Sequence, residues 1–167
     1  GTLILLDQEL KKYKKENGMK DFTDLIEDFI KDAEVPPFKV LFIDEAQDLN
    51  RLQWRMVRKI WIKSEKTYIA GDDDQAIFKW AGADIDHFIA LKNEVDEIKT
   101  LKQSYRIPGG PIHELSQRII KNVENRFDKS YKSKDEQGIL KYYSDVTQVD
   151  MSKGEWNHGE KVVNSIT

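Results

Sequence analysis

The sequence predicts an α/β fold with a parallel sheet, and three observations carry that expectation. Short apolar runs of strand length, at 40–43, 67–70 and 97–101, alternate with segments of helical periodicity. Each run is followed directly by a cluster of polar residues, as at strand ends that line a crevice. At 167 residues with 39% hydrophobic side chains, the chain has enough apolar material for one ordinary core.

The elements follow in order. Residues 3–16 read as a helix closed by Asn17-Gly18, a pair suited to a left-handed stop. Asp21 then caps a second helix, in which Phe22, Leu25, Ile26, Phe29 and Ile30 form one apolar stripe until Pro36-Pro37 ends it. The β-branched and aromatic run 40–43 has the content of a strand buried on both faces. A helix over 52–62 is expected to turn Met56, Val57, Ile60 and Trp61 inward. Strand 67–70, a helical region over 75–91 and strand 97–101 continue the alternation. Pro111 opens a long helix whose buried face would be Ile112, Leu115, Ile119 and Val123. From 126 to 137 the chain is charged without periodicity, which reads as a linker. A strand over 139–144 would begin something new, and the tail 151–167 has few apolar residues and is expected to be poorly ordered.

Bulk charge narrows the function classes. Twenty-seven basic against thirty acidic residues give a net charge of −3, so no strong basic field advertises nucleic acid. A motor that grips single strands by stacking escapes that objection. The absence of cysteine excludes a disulfide scaffold or zinc ribbon and agrees with an intracellular protein. The apolar run 3–6 is too short for a signal-peptide core or a membrane span, so no membrane is expected as a partner. The chain begins with Gly1 rather than methionine, which suggests an excised piece. His87, His113 and His158 lie far apart, without metal-ligand spacing.

The densest signal is Val40-Leu41-Phe42-Ile43-Asp44-Glu45, a strand running into two carboxylates. Magnesium keeps several waters and takes one or two protein carboxylates plus phosphate oxygens, so one acid can hold the ion while its neighbour polarises water. The pair reads as a Walker B element, although Asp-Glu also occurs at plain helix starts, facing the helix dipole.

Two further clusters extend the pattern: Gly71-Asp72-Asp73-Asp74-Gln75-Ala76-Ile77-Phe78-Lys79-Trp80-Ala81-Gly82-Ala83, and Gln103-Ser104-Tyr105-Arg106. In this order the three blocks resemble motifs II, III and IV of the UvrD/Rep-type superfamily 1 DNA helicases. Asp44, Glu45, Gln47, Asp48, Asn50 and Gln53 stand at every position of the family's motif II. Gly71, Asp72, Gln75, Ile77, Phe78, Trp80, Gly82 and Ala83 meet motif III. Asp21-Phe22-Thr23-Asp24-Leu25 is similar to the segment by which the family's chain re-enters its first motor domain.

The resemblance implies a three-layer parallel sheet of a partial RecA-like P-loop NTPase domain. Residues 1–20 would end an inserted subdomain, 21–125 form the C-terminal half of the first motor domain, 126–137 link, and 138–167 begin the second motor domain or a poorly ordered tail. It implies ATP and Mg2+ as ligands, with Asp44 and Glu45 at the metal and Glu45 deprotonating the attacking water. Gln75 would sense the γ-phosphate, Arg106 would act as an arginine finger, and Tyr105 would stack on adenine. Phe78 and Trp80, flanking Lys79, would stack on bases of single-stranded DNA. The implied partners are single-stranded DNA, duplex junctions and the remainder of the helicase polypeptide, with unwinding in the 3′-to-5′ sense.

Departures are equally legible. Ala81 stands where the family usually has arginine, and Ser104 where it often has asparagine. No Gly-x-x-x-x-Gly-Lys-Ser/Thr occurs, so the chain alone is expected to be inactive. Two other readings stay open: a two-metal DNA nuclease built on Asp44, Glu45 and Asp72 to Asp74, and a non-catalytic nucleic-acid-binding module that kept the fold.

Overall fold

The computed structural model describes residues 2–142 and divides into two compact units. One comprises the described residues up to Lys99 with Val123–Lys129; the other is Thr100–Asn122 with the described residues from Ser130. The tail 151–167 and the end of the strand expected over 139–144 lie outside the described residues, and 139–142 run without strand pairing.

In the first unit, α1 (Thr2–Glu16) stops as its sequence suggests. Gly18 sits at φ +61°, and the Met19 N–H returns to the Lys14 carbonyl at 2.8 Å. Helix α2 (Phe22–Asp32) starts with a reciprocal cap: Asp21 accepts the Asp24 N–H at 3.0 Å and Asp24 accepts the Asp21 N–H at 2.9 Å. Helix α3 (Arg51–Trp61) repeats the device with Asn50 and Gln53, both at 2.9 Å. Two residues that match motif II thus serve the helix start. Lys59 reaches from α3 to the carbonyls of Phe29 and Ile30, 3.0 and 2.6 Å away, and satisfies the C-terminal end of α2.

Strands β1 (Phe38–Ile43) and β2 (Ser64–Ile69) pair in parallel across the α3 crossover, with Val40 opposite Lys66 and Ile43 opposite Ile69. The pairing continues past the strand ends, because Ala70 donates to Ile43 at 2.8 Å and Ala46 donates to Ala70 at 3.0 Å. This extension carries the residues after β1 and those after β2 forward side by side.

The fold is mixed α/β, but the described sheet has two strands rather than the several expected. The run 97–101 is irregular, with Ile98 and Leu101 exposed, because among the described residues no neighbouring strand takes up its backbone groups. Burial on both sheet faces is also not met: Val40, Phe42 and Tyr68 are exposed, and Phe42 stacks on Tyr68 across the ladder at 5.1 Å. The helix expected over 75–91 is replaced by 3₁₀ turns at Asp73–Gln75 and Lys79–Ala81, followed by α4 (Ile85–Ala90). Asp72 captures the Asp74 N–H, Gly82 turns at φ +98°, and Asp84 caps α4 through the His87 N–H at 3.1 Å. Each competes with helix continuation.

The core of this unit joins Trp54 and Val57 of α3 to Phe88, Leu91 and Ala46, with Ile43, Leu49, Trp61, Ile69 and Phe127 packed against them. Each fully buried apolar side chain of this size contributes roughly 1.5–3 kcal/mol. Trp54, absent from the expected inward face, is its most buried large residue.

In the second unit, Pro111 and Gly110, the latter at φ +65°, open α5 (Pro111–Ile120). Residues 102–109 run beside 132–138: Lys132 donates to Lys102 at 2.8 Å, Ser104 to Lys132 at 2.8 Å and Gly109 to Glu136 at 2.7 Å. Ile112 and Leu115 are half-buried, whereas Ile119, expected on the same buried face, is exposed; Val123 lies past the end of α5, in the first unit, and is exposed as well. Among the described residues, no helix is long and apolar enough to cross a membrane.

Candidate functional site

The acidic pair sits at the end of β1, in a conformation that fixes its direction. Glu45 adopts φ +50° and ψ +39°, the only left-handed non-glycine among the described residues. The Asp44 carboxylate accepts the Glu45 N–H at 2.9 Å, which supports that turn. Both side chains are exposed. Among the described residues neither pairs with a cation, and no three metal-ligating side chains gather anywhere. The donor set is therefore two hard carboxylates facing solvent, which suits an ion that keeps most of its water and unsuits a cage of protein ligands.

Gln47, 1% exposed, connects this pair to the loop after β2. Its Nε2 donates to Glu45 Oε2 at 2.8 Å, and its Oε1 accepts the Asp72 N–H at 3.0 Å. Gly71 makes the approach possible, since a Cβ there would stand 2.8 Å from Gln47 Oε1 and 2.7 Å from the Phe88 ring. Asp72 in turn accepts Gln75 Nε2 at 2.6 Å. Glu45, Gln47, Asp72 and Gln75 thus form one hydrogen-bonded line.

The three aspartates do not stand free. Lys129 contacts Asp72 at 2.5 Å, Asp73 more closely, and Asp74 at 3.3 Å. Arg126 grips Asp74 with two bonds of 2.8 Å, and the Phe127 N–H donates to Asp73 at 2.7 Å. Burial pushes the Asp72 carboxyl up, yet hydrogen bonds from Lys129 and Gln75 and the lysine charge outweigh it and hold the group below its usual range. Burial likewise pushes Lys129 down, and its bonds to Asp72 and Asp73 reverse the effect and raise it. The segment expected only to link therefore supplies two cations and an aromatic ring to this unit. The aspartate run signals that cations are needed once it is shielded, but not which residues supply them.

Beyond Gln75 the loop presents its aromatics. Trp80 is 83% exposed, Phe78 about half that, and their ring centroids lie 6.4 Å apart with Lys79 exposed between them. A shallow groove of about 560 Å³ runs beside them, lined by Asn50, Arg51, Lys79, Gly82 and Asp84. Ala81 is exposed and contributes no guanidinium.

Tyr105 and Arg106 belong to the second unit and are described there alone. Ser104 Oγ accepts the N–H groups of Arg106 and Ile107, at 3.3 and 3.0 Å, and shapes a tight turn with both Tyr105 and Arg106 exposed.

Comparison with known proteins matches residues 2–96 to the model of the UvrD/REP helicase N-terminal domain. The ATP-dependent DNA helicase PcrA of Bacillus subtilis is 31% identical over 139 residues, which are 76% of this chain and 19% of that protein. The ATP-dependent DNA helicase Rep of Buchnera aphidicola is 30% identical over 128 residues, 70% of this chain and 19% of that protein. A PcrA of Staphylococcus aureus is 31% identical over 146 residues, 80% and 20% respectively. The chain spans about a fifth of the length of these curated relatives.

Proposed function

The chain belongs to the UvrD/REP helicase N-terminal domain family, and from that premise we propose that it works as part of an ATP-dependent DNA helicase coupling ATP hydrolysis to travel along single-stranded DNA and to duplex unwinding, in the 3′-to-5′ sense. The observation that carries the reading is the buried amide of Gln47, which bonds the Glu45 carboxylate and the Asp72 backbone at once. A purely structural acidic turn has no need of such a link. A site that must register hydrolysis in a neighbouring loop does.

In this reading Asp44 holds hydrated magnesium, whose chemistry would be to neutralise charge on the phosphate oxygens. Glu45 takes the proton of the attacking water, and Gln47 fixes the direction of that carboxylate. Gln75 reads the γ-phosphate end of the nucleotide. Arg106 offers a guanidinium fork to the transferred group, and Tyr105 an aromatic face to adenine. Trp80, with Phe78 and Lys79, meets single-stranded DNA, each stacked base being worth roughly 1–3 kcal/mol.

The exposed faces of Phe42, Tyr68 and Leu101 support a place within a larger, three-layer RecA-like sheet. The proposed division keeps 21–125 in the first motor domain, with 1–20 ending an inserted subdomain and 138–167 opening the second motor domain. The phosphate-cradling loop, absent from this sequence, would come from another part of the helicase polypeptide, and an intracellular location follows from the substrate. The nuclease reading gains no support, because Asp72 to Asp74 are engaged by Lys129 and Arg126.

The test is DNA-stimulated ATP hydrolysis by the full-length protein that carries this chain. Glu45→Gln and Arg106→Ala are each expected to abolish turnover while melting as the wild type does. Full turnover in a folded variant removes the role assigned to that residue, and a wild type without ATP hydrolysis removes the helicase reading.

A further inference from the structure

We propose that Lys129 is a positioning residue for Gln75, acting through Asp72; the inference rests on the role given to Gln75 above and adds a residue from outside the three motifs. Gln75 is exposed and lies in a 3₁₀ turn, so packing does not hold its side chain. Among the described residues its one side-chain partner is Asp72 Oδ2, at 2.6 Å. What fixes Asp72 therefore fixes Gln75.

Asp72 is one of three consecutive carboxylates that repel one another within a single turn. Lys129 touches all three, at 2.5 Å for Asp72 and 3.3 Å for Asp74, with its own side chain 14% exposed. Arg126 is committed to Asp74 through both of its bonds, so among the described residues Lys129 is the cation on Asp72 and Asp73. Withdrawing the lysine charge leaves Asp72 beside the nearly inaccessible Asp73 without compensation, and Asp72 then turns to water and releases the Gln75 amide.

The hold also orients the amide. A carboxylate only accepts, so Asp72 takes the Gln75 nitrogen and leaves the carbonyl oxygen as the acceptor for a water hydrogen. Lys129 thereby selects which end of Gln75 is offered to the nucleotide side.

Two readouts in the full-length protein test this, with Lys129→Met and Lys129→Arg compared by thermal melting first. The side-chain amide resonance of Gln75 is expected to move toward that of a free glutamine in Lys129→Met and to stay at its wild-type position in Lys129→Arg. The DNA-stimulated kcat is expected to fall about tenfold or more in Lys129→Met with KM for ATP changed less than about twofold, and to recover in Lys129→Arg. Should Lys129→Met fail to fold, Lys129→Gln, which keeps a donor without the charge, is read in the same two ways. A folded, uncharged variant with the wild-type Gln75 resonance overturns the proposal, as does a Lys129→Arg variant that shifts as far as Lys129→Met. If the wild type hydrolyses no ATP, the helicase reading fails, and the resonance still decides whether Lys129 holds Gln75.

Discussion

Gln47 Oε1 accepts the Asp72 N–H at 3.0 Å across 25 residues of sequence, while Gln47 Nε2 donates to Glu45 at 2.8 Å. With the side chain 1% exposed, water cannot replace either bond. Gln47→Leu is expected to destabilise the protein by about 1–3 kcal/mol, the cost of stranding a buried donor. Gln47→Glu keeps the acceptor for Asp72 but faces Glu45 with a second carboxylate. Its loss is expected to match or exceed that of Gln47→Leu at neutral pH and to narrow in acid. Urea unfolding midpoints of both variants, at two pH values, decide the point.

Glu45 is held at φ +50°, where an L-residue costs roughly 1–2 kcal/mol. Glu45→Gly removes that cost but strands the buried Gln47 Nε2 donor, so a net loss of at most about 2 kcal/mol is expected. Turnover in the full-length protein is expected to vanish all the same. A stable variant that still hydrolyses ATP would show that the left-handed turn, rather than the carboxylate, is what the site requires.

Trp80, 83% exposed, buries too little to matter for the core. Trp80→Ala is expected to leave the thermal midpoint within about 1 °C, because surface changes of this kind fall within about 0.5 kcal/mol. Affinity for single-stranded DNA is expected to drop roughly 5- to 100-fold, the equivalent of one lost stacking contact. Phe78, half as exposed and tilted against Trp80, is expected to lose less of that affinity and more of the stability.

The local elements were legible because their signals are local. Asp21, Asn17-Gly18 and Pro111 mark boundaries through backbone chemistry that needs no partner, and the structure places helix ends beside them, whereas α2 stops at Asp32, three residues short of Pro36-Pro37. The run 97–101 misled because β-branched and apolar content describes a strand's fit to a sheet, and among the described residues no neighbouring strand takes up its backbone. The helix expected over 75–91 was lost to Asp72, Gly82 and Asp84, whose side chains or backbone offer the chain a turn instead. Glu45, Gln75 and Trp80 could be singled out by spacing. Arg126 and Lys129 could not, because contacts 52 and 57 residues away in sequence leave no periodic trace.

The Lys129–Asp72 pair also sets a pH dependence. In the folded protein the Asp72 carboxyl lies below its ordinary 3.8, so its contribution is complete above that value and is lost as pH falls through the folded pKa. Lys129 lies above its ordinary 10.5, so its contribution is complete below that value and is lost as pH rises through the folded pKa. Between the two the pair is fully charged and stability is flat with respect to it. Lys129→Met is therefore expected to cost about 3 kcal/mol across that plateau, the lower end for breaking a shielded ion pair. The gap from wild type is expected to shrink below pH 3.8 and above pH 10.5. Urea unfolding of both proteins across pH reads the gap directly. A gap that closes between about pH 5 and 8 would show instead that the Lys129–Asp72 pair is not its source.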